Sequence, residues 1–153
     1  MIARERPDAL VKTVTVPLDV KAAFALFTEQ TSAWWPLATH SVGETAATAV
    51  TIEGRIGGEV VETYGDGLLA VWGTVIEWEP PSVVSFTWHP GTPSSEATQV
   101  AVRFTEVGDS TEVRLVHSGW SSRPDGAGAR RGYDSGWDLV LGRFAGGADA
   151  RAS

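Results

Sequence analysis

Cysteine is absent from this chain of 153 residues. That removes disulfides, thiol catalysis, thiolate metal sites and iron–sulfur clusters together. Asparagine is absent too, so there is no N-glycosylation sequon. No apolar run approaches the ~20 residues of a membrane span. The segment Met1 to Asp8 is charged and lacks the apolar stretch of a signal peptide. The expectation is a cytoplasmic protein with no membrane insertion. Positive charge is also scarce: 12 Lys and Arg stand against 19 Asp and Glu, for a net charge of −7. This argues against a broad electrostatic grip on nucleic acid and leaves only a local basic patch. Methionine occurs once.

What is present is an ordinary folding composition, 42% apolar and 20% charged. The length fits one domain over 1–153, with frayed ends expected at 1–8 and 146–153. Seven tryptophans stand out in so short a chain. Each is large and carries an N–H that wants a partner. They make either an aromatic core or an aromatic-walled cavity, and the count alone does not choose.

Leu10 to Pro17 reads as a strand rich in β-branched residues, closed by Pro17. Asp19 then sits where an N-cap belongs, and Val20, Ala23, Phe24 and Phe27 share one helical face. A second short helix is predicted over Thr31–Trp35, ending at Pro36. From Thr48 to Ser118 the period becomes two. The expected strands are Ala49–Glu53, Glu59–Tyr64, Leu69–Glu79, Val83–His89, Thr98–Val107 and Thr111–Ser118. Gly57-Gly58, Gly65-Asp66-Gly67, Pro80-Pro81 and Gly108-Asp109 punctuate them, which implies an antiparallel meander. The strand Trp72–Trp78 is apolar on both faces and is hard to orient. After a loop over Ser121–Gly128, Tyr133, Trp137, Val140, Leu141 and Phe144 fall on one helical stripe, with Gly146-Gly147 as the expected C-cap. One helical stripe and one sheet face must bury each other. The fold class is therefore α+β: a curved antiparallel sheet wrapped around a long C-terminal helix.

Catalytic templates mostly fail. His40, His89 and His117 lack metal-ligand spacing, and no nucleophile elbow or Walker loop exists. The loose dinucleotide pattern at Gly65 runs into a strand and is discarded. No cofactor or metal is expected. His117 shares an inward face with Val113 and Leu115, either as a satisfied structural residue or, lining a cavity, as a general base or polar anchor. Trp34 and Trp35 point ~100° apart on a helix, so one packs and the other lies on the surface or caps a pocket mouth. Glu53, Arg55 and Glu62 form a salt-bridged bend or a buried ionic cluster touching a ligand. Gly132 and Gly136 cost the helix about 1 kcal/mol each. They leave a smooth strip for close sheet packing or for a ligand.

Taken in order, several motifs resemble a family. They are Trp34-Trp35-Pro36, Glu53-x-Arg55-x-Gly57-Gly58, Glu62, Trp72-Gly73-x-Val75, Trp78-x-Pro80-Pro81 and Phe86-x-Trp88. The ending agrees, with Gly108, Thr111, Val113-x-Leu115-x-His117-x-Gly119-Trp120 and Gly132-Tyr133-x-x-Gly136-Trp137-x-x-x-Leu141. Together they resemble the SRPBCC (START-like) superfamily, in its bacterial branch homologous to the activator of the ninety-kilodalton heat-shock-protein ATPase. The resemblance implies a helix-grip fold with a cavity between sheet and helix. The superfamily holds lipid and hormone carriers, polyketide cyclases and aromatases, oxygenase domains and co-chaperone domains.

Three functions follow as expectations. The preferred one is binding of a small hydrophobic, aromatic or lipid-like molecule. The candidate lining residues are Phe24, Phe27, Trp35, Arg55, Tyr64, Trp72, Phe86, Trp88, Val102, Leu115, His117, Tyr133, Trp137 and Leu141. The second is a cyclase- or aromatase-like enzyme in which His117 supplies acid–base chemistry. The third is a co-chaperone-type interaction domain, or a homodimer, anchored by exposed Trp34, Trp35 or Trp120.

Overall fold

A computed structural model describes residues 8 to 152. The frayed ends expected at 1–7 and 153 lie outside the described residues. Seven strands form one antiparallel sheet: β1 (Leu10–Val16), β2 (Ala47–Ile52), β3 (Glu59–Tyr64), β4 (Leu68–Glu79), β5 (Val83–Trp88), β6 (Thr98–Val107) and β7 (Ser110–Ser118). Their order across the sheet is β1-β7-β6-β5-β4-β3-β2, so the chain crosses once, from β1 to β2, and then meanders back. That crossing carries helices α1 (Val20–Glu29) and α2 (Thr31–Trp34). The long helix α3 (Gly126–Ala152) follows β7 and packs against β1 and α2.

Local chemistry explains the boundaries. The Asp19 side chain accepts from the Ala22 backbone N–H at 2.7 Å and starts α1. Along β6 and β7, Val100, Val102 and Phe104 and then Val113, Leu115 and His117 are buried in strict alternation. The strand with two apolar faces is resolved by irregularity. Register shifts between Val75 and Glu77, and opposite between Val60 and Val61, interrupt the alternation of β4. Trp72 is thereby buried, while Ile76 is exposed and Trp78 packs against Phe24 at 5.2 Å. Gly73 is required where β4 crosses β5, because a Cβ there would lie 1.6 Å from the Thr87 carbonyl oxygen.

Two expectations are corrected. The C-terminal helix does not stop at Gly146-Gly147 and the tail does not fray there. α3 runs through both glycines to Ala152, because Ala148 is fully buried beyond them and Arg151 donates to the Gln30 side chain. The polar side of α3 is tied down as well: Lys12 on β1 bridges Asp134 at 2.6 Å and Asp138 at 3.0 Å.

His117 is a core residue, not a cavity residue. It is 0% exposed and sits under the Trp120 ring, 4.1 Å between centroids. Trp137 Nε1 donates to its Nδ1 at 2.9 Å, so Nδ1 must be the bare nitrogen. Nε2 then carries the proton and gives it to Thr98 Oγ1 at 2.6 Å, whose hydroxyl donates to the Trp88 carbonyl. A second proton would face the Trp137 N–H with no acceptor. Burial, with Arg123 as a lesser contributor, pushes the imidazole down from 6.5 to about 3. The unfolded chain therefore takes up a proton below pH 6.5 that the folded chain refuses. Stability should be full above that pH and fall as pH drops towards 3, by roughly 1 kcal/mol per unit for this group. Denaturant unfolding of wild type and His117→Gln at pH 7, 6, 5 and 4 checks it. The variant should lose part of the slope, and equal slopes would show that His117 does not carry it.

Candidate functional site

Between α3 and the concave sheet face lies a cavity of about 380 Å³ that opens to solvent. Four indoles wall it: Trp35 after α2, Trp72 on β4, Trp88 on β5 and Trp137 on α3. Their rings meet one another at 5.1 to 5.9 Å between centroids, tilted or edge to face. Val140 and Tyr133 add the rest of the helical wall. The mouth is formed by residues 39–42, leading into β2, and by Pro90 and Gly91 after β5.

The polar ends of the indoles are all held by protein acceptors. Trp35 Nε1 donates to the His40 carbonyl at 2.7 Å, which fixes the mouth loop to the ring beneath it. Trp72 Nε1 donates to Glu62 at 2.9 Å. The same carboxylate accepts the backbone N–H groups of Val42 at 2.8 Å and Gly43 at 2.7 Å. Glu62 is fully buried, so one side chain holds both a wall and the mouth of the cavity. The ionic bend splits as a result. Glu53 and Arg55 form an exposed pair at 3.5 Å, and Glu62 belongs elsewhere. Strand alternation carries the signal for this, since Val60 and Glu62 share the inward face of β3.

Tyr133 supplies the cavity's phenol. Trp88 Nε1 donates to its oxygen at 3.1 Å, and the Arg123 guanidinium lies near enough to lower its pKa slightly against the effect of burial. With a donor on the oxygen, its own O–H remains to donate to a ligand. Burial raises the phenol above its usual value, so it stays protonated at neutral pH. On the rim, His40 Nδ1 pairs with Thr39 Oγ1 at 2.8 Å. Its Nε2 edge faces Gly136, 3.9 Å from where a Cβ would stand. Nothing lies within 4 Å of a Cβ at Gly132. The smooth strip on α3 therefore borders open space, not tight sheet packing.

The structure brings together five of the residues expected to line a site: Trp35, Trp72, Trp88, Tyr133 and Trp137. The others lie elsewhere. Phe27, Phe86, Val102, Leu115, His117 and Leu141 are core behind the walls. Phe24 faces a separate groove with Trp78, Pro80 and Pro81. The Arg55 side chain is 63% exposed at the bend. Tyr64 is half-buried beside Gly43. The adjacent tryptophans divide as the pocket alternative expected, one packed and the other at the cavity. Trp35 lines the cavity, while Trp34 is buried between Phe27 and Phe144 and neither lies on the surface. Sequence reasoning missed His40, Val42 and the mouth loop, which carry no periodic signal. Among the described residues no cluster suits a metal ion, and no helix is long and apolar enough to cross a membrane.

Comparison with known proteins agrees with this architecture. No curated protein matches the sequence. Among solved structures, protein MLL2253 from Mesorhizobium loti superposes with a TM-score of 0.71 at 17% identity, covering 95% of this chain and 98% of that one. The Aha1 dimer from Colwellia psychrerythraea, a solution structure, gives 0.67 at 15% identity, covering 92% and 95%. Both show the fold alone. An anthrahydroquino-Gama-pyrone synthase, Txn09, complexed with SUM, gives 0.62 at 26% identity, covering 92% and 99%. The family described as Activator of Hsp90 ATPase homolog 1-like protein matches residues 18–146. The chain belongs to that family, within the SRPBCC superfamily, and its sheet and long helix are the helix-grip fold.

Proposed function

We propose that the protein binds a small hydrophobic molecule, aromatic or lipid-like, in the cavity between α3 and the sheet. The observation that carries this is an open space of about 380 Å³ walled by four indoles. Their N–H groups are all engaged by protein acceptors, that of Trp88 by the Tyr133 hydroxyl on the cavity wall, so the rings present mainly carbon surface inward. Such a site draws its affinity from apolar burial, about 25 cal/mol per Å² before ordering costs, and its orientation from few polar groups. Here those groups are the Tyr133 hydroxyl and the His40 ring. A folded domain whose tryptophans simply filled the space would leave no such void.

A second reading is an enzyme of the cyclase or aromatase type. It draws support from the likeness to Txn09, which is named as a synthase. The acid–base groups would be His40 and Tyr133, because His117 lines no part of the cavity. The interaction-domain reading loses its anchors, since Trp34, Trp35 and Trp120 are all buried.

Native mass spectrometry of freshly purified protein tests the first reading. A reproducible adduct, or uptake from a panel of lipids and aromatic compounds, is expected. A clean apo mass with no uptake would overturn it. The same spectrum separates monomer from dimer.

Gly136 gives a cleaner test than any wall residue. Gly136→Ala should raise stability by up to about 1 kcal/mol, because alanine is the better helix former and its Cβ meets only ordinary contact. Gly136→Leu should fold as well as wild type and cut ligand uptake at least about tenfold by filling the mouth. Unchanged uptake in a folded Gly136→Leu protein would place the ligand elsewhere. Tyr133→Phe should lose about 1 to 3 kcal/mol in denaturant unfolding, since it strips the buried Trp88 N–H of its acceptor. An unaltered unfolding midpoint would show that this hydrogen bond contributes nothing.

A further inference from the structure

We propose that the cavity selects organic cations, molecules carrying a quaternary or protonated amine on a compact apolar body, and that buried Glu62 sets this preference. The proposal rests on the ligand-binding reading above and names the class of ligand. Indole and phenol faces carry the negative end of a ring quadrupole, and a cation within ~6 Å of a ring centroid is attracted to it. Trp35, Trp72, Trp88, Trp137 and Tyr133 surround one cavity with such rings.

Glu62 adds a full negative charge behind one of the walls. It is 0% exposed, and its partners are three N–H groups: those of Val42, Gly43 and the Trp72 indole. Acceptor-only bonding to N–H donors is what an ionised carboxylate uses. Among the described residues no basic side chain is among those partners, so none of them cancels the charge where it sits. The bond from Trp72 Nε1 pushes electron density into the indole that faces the cavity. Low-dielectric surroundings screen this little.

Positive groups nearby do not offset it. Among the described residues no lysine or arginine lines the cavity. Arg123 reaches Tyr133 but is held by Asp125 through two bonds, 2.7 and 2.9 Å, so the pair is neutral. His40 is the titratable group on the rim. A neutral ligand of the same shape would gain the apolar burial and nothing from this field.

The test compares two probes of nearly identical shape, phenyltrimethylammonium and tert-butylbenzene, titrated into the full chain at pH 7.5. Salt at 0.15 M screens the chain's overall charge of −7. Binding is followed by tryptophan fluorescence and by calorimetry. The cation is expected to bind about tenfold tighter than its carbon isostere. In Glu62→Gln that ratio should fall to about threefold or less. A purely structural role for Glu62 would weaken both probes together and leave the ratio unchanged, which would overturn its assignment. Should Glu62→Gln fail to fold, Trp72→Phe removes both the N–H link and the stronger ring, and an unchanged ratio in that variant would overturn the part assigned to Glu62 and its indole. An isostere that binds as tightly as the cation overturns the proposal and leaves hydrophobic binding standing. If neither probe binds and the wider panel gives no uptake, both readings fall.

Discussion

A buried indole calls for an acceptor for its N–H, and that demand organises this protein, with Trp120 Nε1 the one buried indole N–H left without a partner among the described residues. Five tryptophans meet it with five different segments. Trp34 donates to the Leu26 carbonyl, Trp35 to the His40 carbonyl, Trp72 to Glu62, Trp88 to Tyr133 and Trp137 to His117. Each bond ties a helix, a strand or a loop to the aromatic cluster. Rotating one ring into the void would orphan its N–H, at a cost of about 1 to 3 kcal/mol. The cavity is therefore kept open by hydrogen bonds that fix its aromatic walls to the scaffold and the mouth.

Glu62 and His117 are two of the three titratable acceptors in this scheme, Tyr133 being the third, and the two act in opposite ways. Glu62 is an acceptor for three N–H groups on the open side of the cluster, where it joins the mouth loop to the sheet. His117 is a neutral acceptor on the closed side, relaying from Trp137 through Thr98 to the Trp88 carbonyl. One ties the mouth of the cavity to its wall. The other keeps charge out of the core.

Much of this fold could be read from periodicity. The alternation in β6 and β7, the Asp19 cap and the stripe on α3 all rest on local rules, and each was recoverable. The misses have a common cause, which is tertiary contact overriding local preference. Gly146-Gly147 looks like a helix stop, yet buried Ala148 beyond it keeps α3 running. Alternation put His117 on the inward face correctly. It could not say whether that spot was cavity or core, because the answer depends on where Trp120 and Trp137 lay their rings. Five cavity residues were legible because aromatic stripes on a strand and a helix must converge. The mouth loop was not, since residues 39–42 take their position from Glu62 and Trp35, which are distant from it in kind if not in sequence.

The smooth strip on α3 has a consequence for how such a domain diverges. Gly136 borders the cavity but touches none of the core, and the mouth residues around Val42 and Gly91 are likewise peripheral. Substitutions at these few places alter the width and chemistry of the entrance while the hydrogen-bonded aromatic frame stays intact. On the binding reading proposed above, a lineage can therefore exchange one guest molecule for another by small steps, each compatible with folding. The scaffold is conservative where it must hold shape and permissive where it meets the outside.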